Sequence, residues 1–190
     1  MIRTLFALIL ILIASAAVAG FDGYKGGSGD EGFYDPASGL YFLLVRQGAG
    51  EGIELSKLIS GNPAINLLIY DPATKRSRRA YEKHYGAIRE VIVEAGYDAQ
   101  SKQMVYISGS HRVSNNQGLT ERNANPVVLI ETYSDRFKLA TVWRLDKNTG
   151  GARPLFNYRE PDEWHVDAKN RAVRVIRRSA AYRIDDYAWR

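Results

Sequence analysis

The sequence predicts an all-β fold, and three observations support that prediction. A turn motif led by aspartate recurs along the chain, strand-type runs flank its copies, and helix signals are weak. Each turn would reverse the chain between two extended segments, so successive antiparallel hairpins account for all three observations. We therefore expect stacked hairpins and at most one or two short helices.

The turn motif has a fixed order of residue types. An apolar or aromatic residue precedes the aspartate, and a small polar residue and then Gly, Lys or Arg follow it by three and four positions. The aspartate can accept hydrogen bonds from backbone N–H groups two or three residues later, and Gly or Asn tolerates a positive φ. The motif predicts five hairpin turns, at Tyr34–Gly39, Tyr70–Lys75, Tyr97–Lys102, Leu145–Gly150 and Val166–Arg171.

Seven strand-type runs flank these turns. They are Leu40–Val45, Asn66–Tyr70, Glu90–Glu94, Gln103–Ser108, Val127–Tyr133, Phe137–Leu145 and Ala172–Arg178. Alternation in the sixth run is typical of a half-buried strand. It places Phe137, Leu139, Trp143 and Leu145 on one face and Lys138 and Arg144 on the other. Val127–Ile130 is continuously apolar, which predicts a central strand covered on both faces.

Helix signals are confined to one segment. Apolar residues recur within Glu51–Ser60 before Gly61 and Pro63, which predicts one short helix there. Two architectures accommodate the remaining meander: a β-propeller with four strands per blade, or a β-sandwich or barrel. At ~40 to 45 residues per blade the chain has room for about four blades, or it forms part of a propeller.

The N-terminus predicts export. Arg3 supplies a positive charge, Leu5–Ala14 is an uninterrupted apolar run, and Ala17-Val18-Ala19 fits the cleavage rule for signal peptides. We expect residues 1–19 to be a signal peptide, residues 20–32 a flexible glycine-rich leader, and residues 33–190 a single all-β domain. The protein would then be periplasmic or secreted. It would contact a membrane only if the signal segment were retained as an anchor.

The composition argues against several functional classes. Cysteine is absent, which excludes disulfides and thiolate metal sites. The whole chain carries a net charge of +5, and loss of Arg3 with the signal segment leaves a mild +4, so we expect no nucleic-acid partner. No Gly-x-Ser-x-Gly motif occurs, and His84, His111 and His165 lack metal-site spacing. We therefore expect no catalytic residue, no metal and no cofactor.

Two paired patterns mark the C-terminal part of the chain. The first comprises Leu145, Asp146, Thr149, Gly150 and Leu155, and the second comprises Trp164, Asp167 and Val173. With the segments 67–81 and 93–109, they resemble blades of the β-propeller domain in prolyl-oligopeptidase-like serine peptidases. That family carries its nucleophile on an α/β-hydrolase domain, and no nucleophile motif occurs here. The resemblance thus implies a propeller-like binding or gating module without peptidase activity.

Candidate partner-binding residues form two arginine sets and one aromatic pair. The first set is Arg76, Arg78 and Arg79, and the second is Arg174, Arg177 and Arg178. If the two sets meet in space, they would attract an acidic partner. Trp164 offers a surface for stacking or for an interface. His165 has three carboxylates close in sequence that would orient or charge it: Asp162, Glu163 and Asp167.

These observations together predict an exported, non-catalytic β-module that binds a protein or an envelope ligand, acidic in character if the arginine sets converge. Two alternatives follow from the same features. The chain would serve as a propeller-like accessory fragment of a secreted serine-peptidase or hydrolase system, or as a periplasmic immunity or inhibitor protein.

Overall fold

The computed structural model describes residues 32–46, 63–96, 105–108, 112–116, 122–178 and 181–190. Within these ranges the chain forms β-strands in three sheets and no helix, which confirms the predicted all-β class. The helix predicted within Glu51–Ser60 and the predicted signal peptide lie outside the described residues. The strands are β1 (Gly32–Asp35), β2 (Leu40–Arg46), β3 (Ala64–Asp71), β4 (Arg76–Arg79), β5 (Ala87–Gly96), β6 (Val105–Ser108), β7 (Val113–Ser114), β8 (Val127–Ser134), β9 (Leu139–Asp146), β10 (Gly151–Tyr158), β11 (Glu163–Asp167), β12 (Ala172–Arg178) and β13 (Tyr182–Ala188).

The first sheet is a four-stranded antiparallel meander in which β1 to β4 follow one another in chain order. Side chains alternate between the two faces of each strand. In β2 this alternation buries Leu40, Phe42 and Leu44 on one face, while the residues between them are half-buried. One face of the first sheet therefore belongs to the core.

The second sheet has five antiparallel strands in the order β10, β9, β8, β5 and β6. β8 lies in the middle, paired with β5 on one side and with β9 on the other. Its first six residues are all buried. This confirms the prediction that Val127–Ile130 belongs to a central strand covered on both faces.

The third sheet contains β13, β12 and β11 as antiparallel neighbours, and β7 pairs with β11 in parallel. β7 lies in the chain between β6 and β8, so the backbone leaves the second sheet, adds a short strand to the third and returns. Trp189 follows β13 and fixes it, because its backbone N–H donates to the Arg171 carbonyl (2.7 Å) and its indole N–H to the Val127 carbonyl (2.9 Å).

Four of the five predicted turns lie in the described residues, and each joins antiparallel neighbours. In each turn the aspartate accepts a backbone N–H two or three residues later, as Asp71 does from Ala73 at 2.9 Å. The last residue of the motif has a positive φ in every case, at Gly39, Lys75, Gly150 and Arg171. The turn predicted at Tyr97–Lys102 lies outside the described residues, but β5 and β6 on either side of it pair antiparallel.

The structure corrects the predicted strand Phe137–Leu145. Residues 135–138 form a further turn, in which Lys138 has a φ of 48°, so β9 begins at Leu139 and Phe137 lies exposed in the turn. More residues of β9 are buried than the alternating pattern predicted. Ala140 and Val142, on the face of Arg144, are buried because the third sheet packs against that face.

Two apolar clusters lie on opposite faces of the second sheet. The cluster shared with the first sheet includes Phe42, Leu67, Ile69, Val91, Val93, Val128, Ile130 and Leu145. The cluster shared with the third sheet includes Ile92, Leu129, Val142, Phe156, Trp164, Val173, Val175 and Trp189. The three sheets are therefore layered, with the second sheet in the middle. In the described part of the chain no helix is long and apolar enough to cross a membrane.

A buried ion pair joins the first two sheets at the margin of their shared cluster. The Lys147 ammonium lies 2.7 Å from Asp35 Oδ2 and donates at 2.7 Å to the backbone carbonyl of Glu94. Both Asp35 and Lys147 are almost completely buried. Burial lowers the pKa of Lys147, and the attraction of Asp35 opposes that effect.

Candidate functional site

A cavity of about 580 Å³ opens beside the second and third sheets. We call it the arginine-aromatic cavity, after the lining residues Arg89, Arg112, Arg159, Arg178, Tyr133, Tyr158 and Trp164. Its lining also includes the segment Glu160–Glu163, which leads into β11 and contains a cis peptide bond before Pro161. Its volume is within the range of small-ligand sites.

Glu131 on β8 lies fully buried beside this cavity and organises its inner wall. Its Oε1 accepts the Tyr158 hydroxyl at 2.6 Å, and its Oε2 accepts the Trp164 indole N–H at 3.1 Å. The Arg112 guanidinium lies 3.1 Å from Oε2. A buried carboxylate needs such donors, because an unpaired charge in a dry interior is costly. The network therefore fixes two aromatic side chains and one arginine relative to each other.

Arg112 connects Glu131 to a second carboxylate. Its Nε lies 3.4 Å from Glu90, whose backbone is the cross-strand partner of Glu131. Burial acts to lower the pKa of Arg112, but the attraction of Glu131 and the contact with Tyr158 outweigh it, and the pKa is raised. The pKa of Tyr158 is raised by burial and by its hydrogen bond to Glu131. Arg112 thus stays a cation and Tyr158 a neutral donor at physiological pH.

Two arginines of the cavity remain available for a ligand. The Arg89 guanidinium carbon lies 3.5 Å from the centroid of the Tyr133 ring, in a cation–π contact that orients it. Arg159 lies exposed after the end of β10. Neither forms an ion pair with any residue that the structure describes, whereas Arg112 and Arg178 both do.

Two of the predicted partner-binding residues line this cavity. Trp164 is almost completely buried, so its ring forms part of the wall, and Arg112 lies 5.0 Å from its centroid. Arg178 bonds the exposed Glu163 carboxylate at 2.7 Å. Trp164 therefore shapes the wall of the cavity, and the negative charge of Glu163 offsets the positive charge of Arg178.

The other predicted residues of the third sheet have internal partners. Arg174 lies 2.6 Å from Asp167 and 3.0 Å from Asp186. Arg177 bonds Asp162 and Asp185. The sequence predicted that the carboxylates of Asp162, Glu163 and Asp167 would orient or charge His165. In the structure these carboxylates bind arginines. His165 itself is half-buried on β11, opposite Arg174.

Arg76, Arg78 and Arg79 lie on β4, in the first sheet. Arg76 and Arg79 are exposed, while Arg78 is half-buried and donates to the Lys147 carbonyl at 2.7 Å. The second arginine set lies on β12 of the third sheet, and the second sheet separates the two. The fold does not bring the two sets together.

Sequence reasoning missed the residues that build the inner wall of the cavity, namely Arg89, Arg112, Glu131 and Tyr158. One signal pointed to Glu131, because it directly follows the continuous apolar run of β8. A carboxylate in such a run must meet a donor from elsewhere in the fold. The sequence alone does not show which residue supplies that donor.

Glu131 does not present a free carboxylate to the cavity. All three donors converge on that carboxylate, which leaves it enclosed by Tyr158, Trp164 and Arg112. Among the described residues, no group of three or more His, Asp or Glu side chains is placed to hold a metal ion. The accessible chemistry of the cavity is that of guanidinium groups, aromatic faces and the carboxylates of Glu160–Glu163.

Comparison with protein-family models, with curated proteins and with solved structures finds no significant match. The resemblance to propeller blades therefore stays a prediction, and the functional argument rests on the geometry of the cavity.

Proposed function

We propose that the chain is an exported, non-catalytic β-module that binds an acidic segment of a partner protein in the arginine-aromatic cavity. The observation that carries this proposal is a wall fixed by Glu131 beside two arginines, Arg89 and Arg159, that form no ion pair with the described residues. A preorganised site of this kind loses little conformational freedom on binding.

The chemistry of the cavity suits a carboxylate carried by a polypeptide. Arginine forms bidentate hydrogen bonds to carboxylates, and aromatic side chains supply contact area at low entropic cost. Tyr133 serves both purposes, since its ring supports the Arg89 guanidinium and also lines the cavity. Buried aromatic and arginine residues are the types that dominate binding energy at protein interfaces.

Capture from an envelope fraction tests the proposal, provided that variants of matched charge are compared. Arg89→Ala/Arg159→Ala removes two positive charges from the cavity, and Arg76→Ala/Arg79→Ala removes two from the exposed strand β4. We expect the first double variant to lose about tenfold or more of the affinity for the captured protein. The second should change it by about twofold or less, as rim charges do.

The captured protein is then purified and titrated calorimetrically against the wild type and both variants. Equal losses in the two double variants would mean that net charge drives the association and that the cavity plays no special part. Undiminished binding by Arg89→Ala/Arg159→Ala would contradict the proposal outright.

A second role is favoured by the architecture. The first sheet is a four-stranded antiparallel meander in chain order, as a propeller blade is. This supports a propeller-like accessory role beside a secreted hydrolase. A captured partner with an α/β-hydrolase domain would favour that role, and a captured toxin would favour an inhibitor role.

A further inference from the structure

The described strands contain two pairs of arginines that lie directly opposite each other across a hairpin. Arg144 and Arg153 are cross-strand partners in β9 and β10, and Arg177 and Arg183 are partners in β12 and β13. Like charges in this position repel, which destabilises a strand pair unless an anion lies between them. The two hairpins meet this requirement differently.

In the β12–β13 hairpin an internal carboxylate bridges the two arginines. Asp185 lies two residues after Arg183, so both side chains are on the same face of β13. Its carboxylate is 3.0 Å from Arg177 Nε and 2.8 Å from Arg183 Nε. The repulsion in this pair is therefore neutralised within the protein.

In the β9–β10 hairpin the corresponding carboxylate attracts Arg144, but its hydrogen bonds go to the turn and not to the two arginines. Asp146 lies two residues after Arg144, but its Oδ1 accepts the backbone N–H groups of Asn148 (2.8 Å) and Thr149 (3.0 Å) in the turn. Neither Arg144 nor Arg153 forms an ion pair with any residue that the structure describes. This pair lacks the bridge that the β12–β13 pair has.

The two arginines open onto a cavity of about 440 Å³, which we call the hairpin cavity. Its lining residues are Arg144, Asp146, Thr149, Gly150, Gly151 and Arg153. Open space lies beside Gly151, where an added Cβ would meet no atom within 4 Å. A small ligand can therefore approach the backbone and both guanidinium groups from solvent.

We propose that the hairpin cavity binds a tetrahedral oxyanion, the phosphate or sulfate group of an ester, between Arg144 and Arg153. The oxyanion takes the bridging place that Asp185 occupies in the other hairpin. Such a group has three terminal oxygens, which can accept hydrogen bonds from both guanidinium groups at once. Its charge near −2 for a phosphate monoester matches the two positive charges that it bridges. This site is separate from the arginine-aromatic cavity and does not depend on its function.

The test is a titration of the protein with inorganic phosphate at constant ionic strength, followed by the amide NMR signals of Thr149, Gly150 and Gly151. Arg144→Gln and Arg153→Gln are the test variants, and Arg183→Gln is the control because Arg183 has an internal carboxylate partner. We expect saturable shifts in the wild type and the control, and about tenfold weaker binding in each test variant. Glycerol phosphate, glucose phosphate and inorganic sulfate, used as parallel probes, distinguish a lipid-derived, a sugar-derived and a sulfated source.

A stability measurement without phosphate separates a binding role from a structural one. If repulsion is unrelieved in the free protein, Arg153→Gln should raise the urea midpoint, whereas Arg183→Gln should lower it or leave it unchanged. Equal phosphate affinity in the wild type and both test variants would overturn the proposal. So would the same amide shifts produced by chloride alone, which would reveal an adventitious ion only.

Discussion

The two interfaces of the second sheet differ in what they bury. Against the first sheet the contact is almost wholly apolar, and the buried ion pair that the described residues form there, Lys147 with Asp35, lies at the margin. Against the third sheet three glutamates are buried, namely Glu90, Glu94 and Glu131. Glu131 is held by Arg112, Tyr158 and Trp164 at the cavity, and Glu94 is bonded by Arg122 and Arg171 further along β5.

This difference shows which interface fixes the relative position of two sheets. Apolar contacts tolerate small shifts, because they lack direction. A buried carboxylate requires each donor at hydrogen-bond distance, and it penalises any arrangement that leaves the charge unpaired. The second and third sheets are thus held in one relative position, and the cavity that carries the proposed function opens at that polar contact.

The largest effect should follow from removing the carboxylate of Glu131. Glu131→Ala leaves Arg112 without its buried partner. It also leaves the Tyr158 hydroxyl and the Trp164 indole N–H without an acceptor, so we expect a loss of about 3 to 5 kcal/mol in the free energy of unfolding. Ile130→Val is the matched control, because Ile130 is the adjacent residue but faces the apolar interface. It should cost about 0.5 to 1.5 kcal/mol.

Urea unfolding of both variants checks this comparison. Glu131→Gln, which keeps an acceptor oxygen, should fall between the two. Equal costs for Glu131→Ala and Ile130→Val would mean that the polar contact adds nothing to the position of the third sheet.

An intermediate effect is expected at the margin of the apolar interface. Lys147→Met leaves Asp35 buried without its ammonium partner, which should cost about 3 kcal/mol. Replacing both residues, as Asp35→Asn/Lys147→Met, should recover part of that loss, because no charge is then left unpaired. Lys169→Met, at an exposed turn position, should change stability by less than about 0.5 kcal/mol.

A double-mutant cycle measured by thermal and urea unfolding quantifies the coupling. If the double variant is less stable than Lys147→Met alone, then the pair contributes more than charge compensation and the comparison drawn here is wrong.

The fold was predictable because its signals are local. An aspartate and the amides that it bonds lie within a few residues, so the turns at Asp35, Asp71, Asp146 and Asp167 could be read directly. The turn at residues 135–138 was missed because Ser134 stands where the motif has its aspartate and Phe137 where it has the small polar residue. That one omission shifted the predicted start of β9.

The cavity was predictable only in part, because its residues come from distant places in the chain. Trp164 and Arg178 were singled out from the C-terminal hairpins, and both line it. The contacts of Glu131 with Arg112 and Tyr158 join separate strands and a loop through the packing of two sheets. No local pattern records such a contact, since it depends on which sheets meet and in which register.

The smallest effect concerns acid stability and belongs to the third sheet. Arg174 lowers the pKa of Asp167, with help from Asn170 and Asn115, and the backbone N–H of Arg178 lowers that of Asp162. Because the folded-state pKa values lie below the unfolded value of about 3.9, these groups stabilise the fold above that pH. Their contribution is lost as the pH falls below about 4.

Asp167→Asn should therefore flatten the acid limb of the stability profile. Asparagine still accepts the turn amide but cannot attract Arg174, so the variant should be less stable than the wild type near pH 6, and this difference should shrink progressively as the pH falls below about 4. Asp135→Asn, in an exposed turn, is the control and should leave the profile unchanged. Parallel profiles for Asp167→Asn and the wild type would show that Asp167 acts through its turn hydrogen bonds and not through its charge.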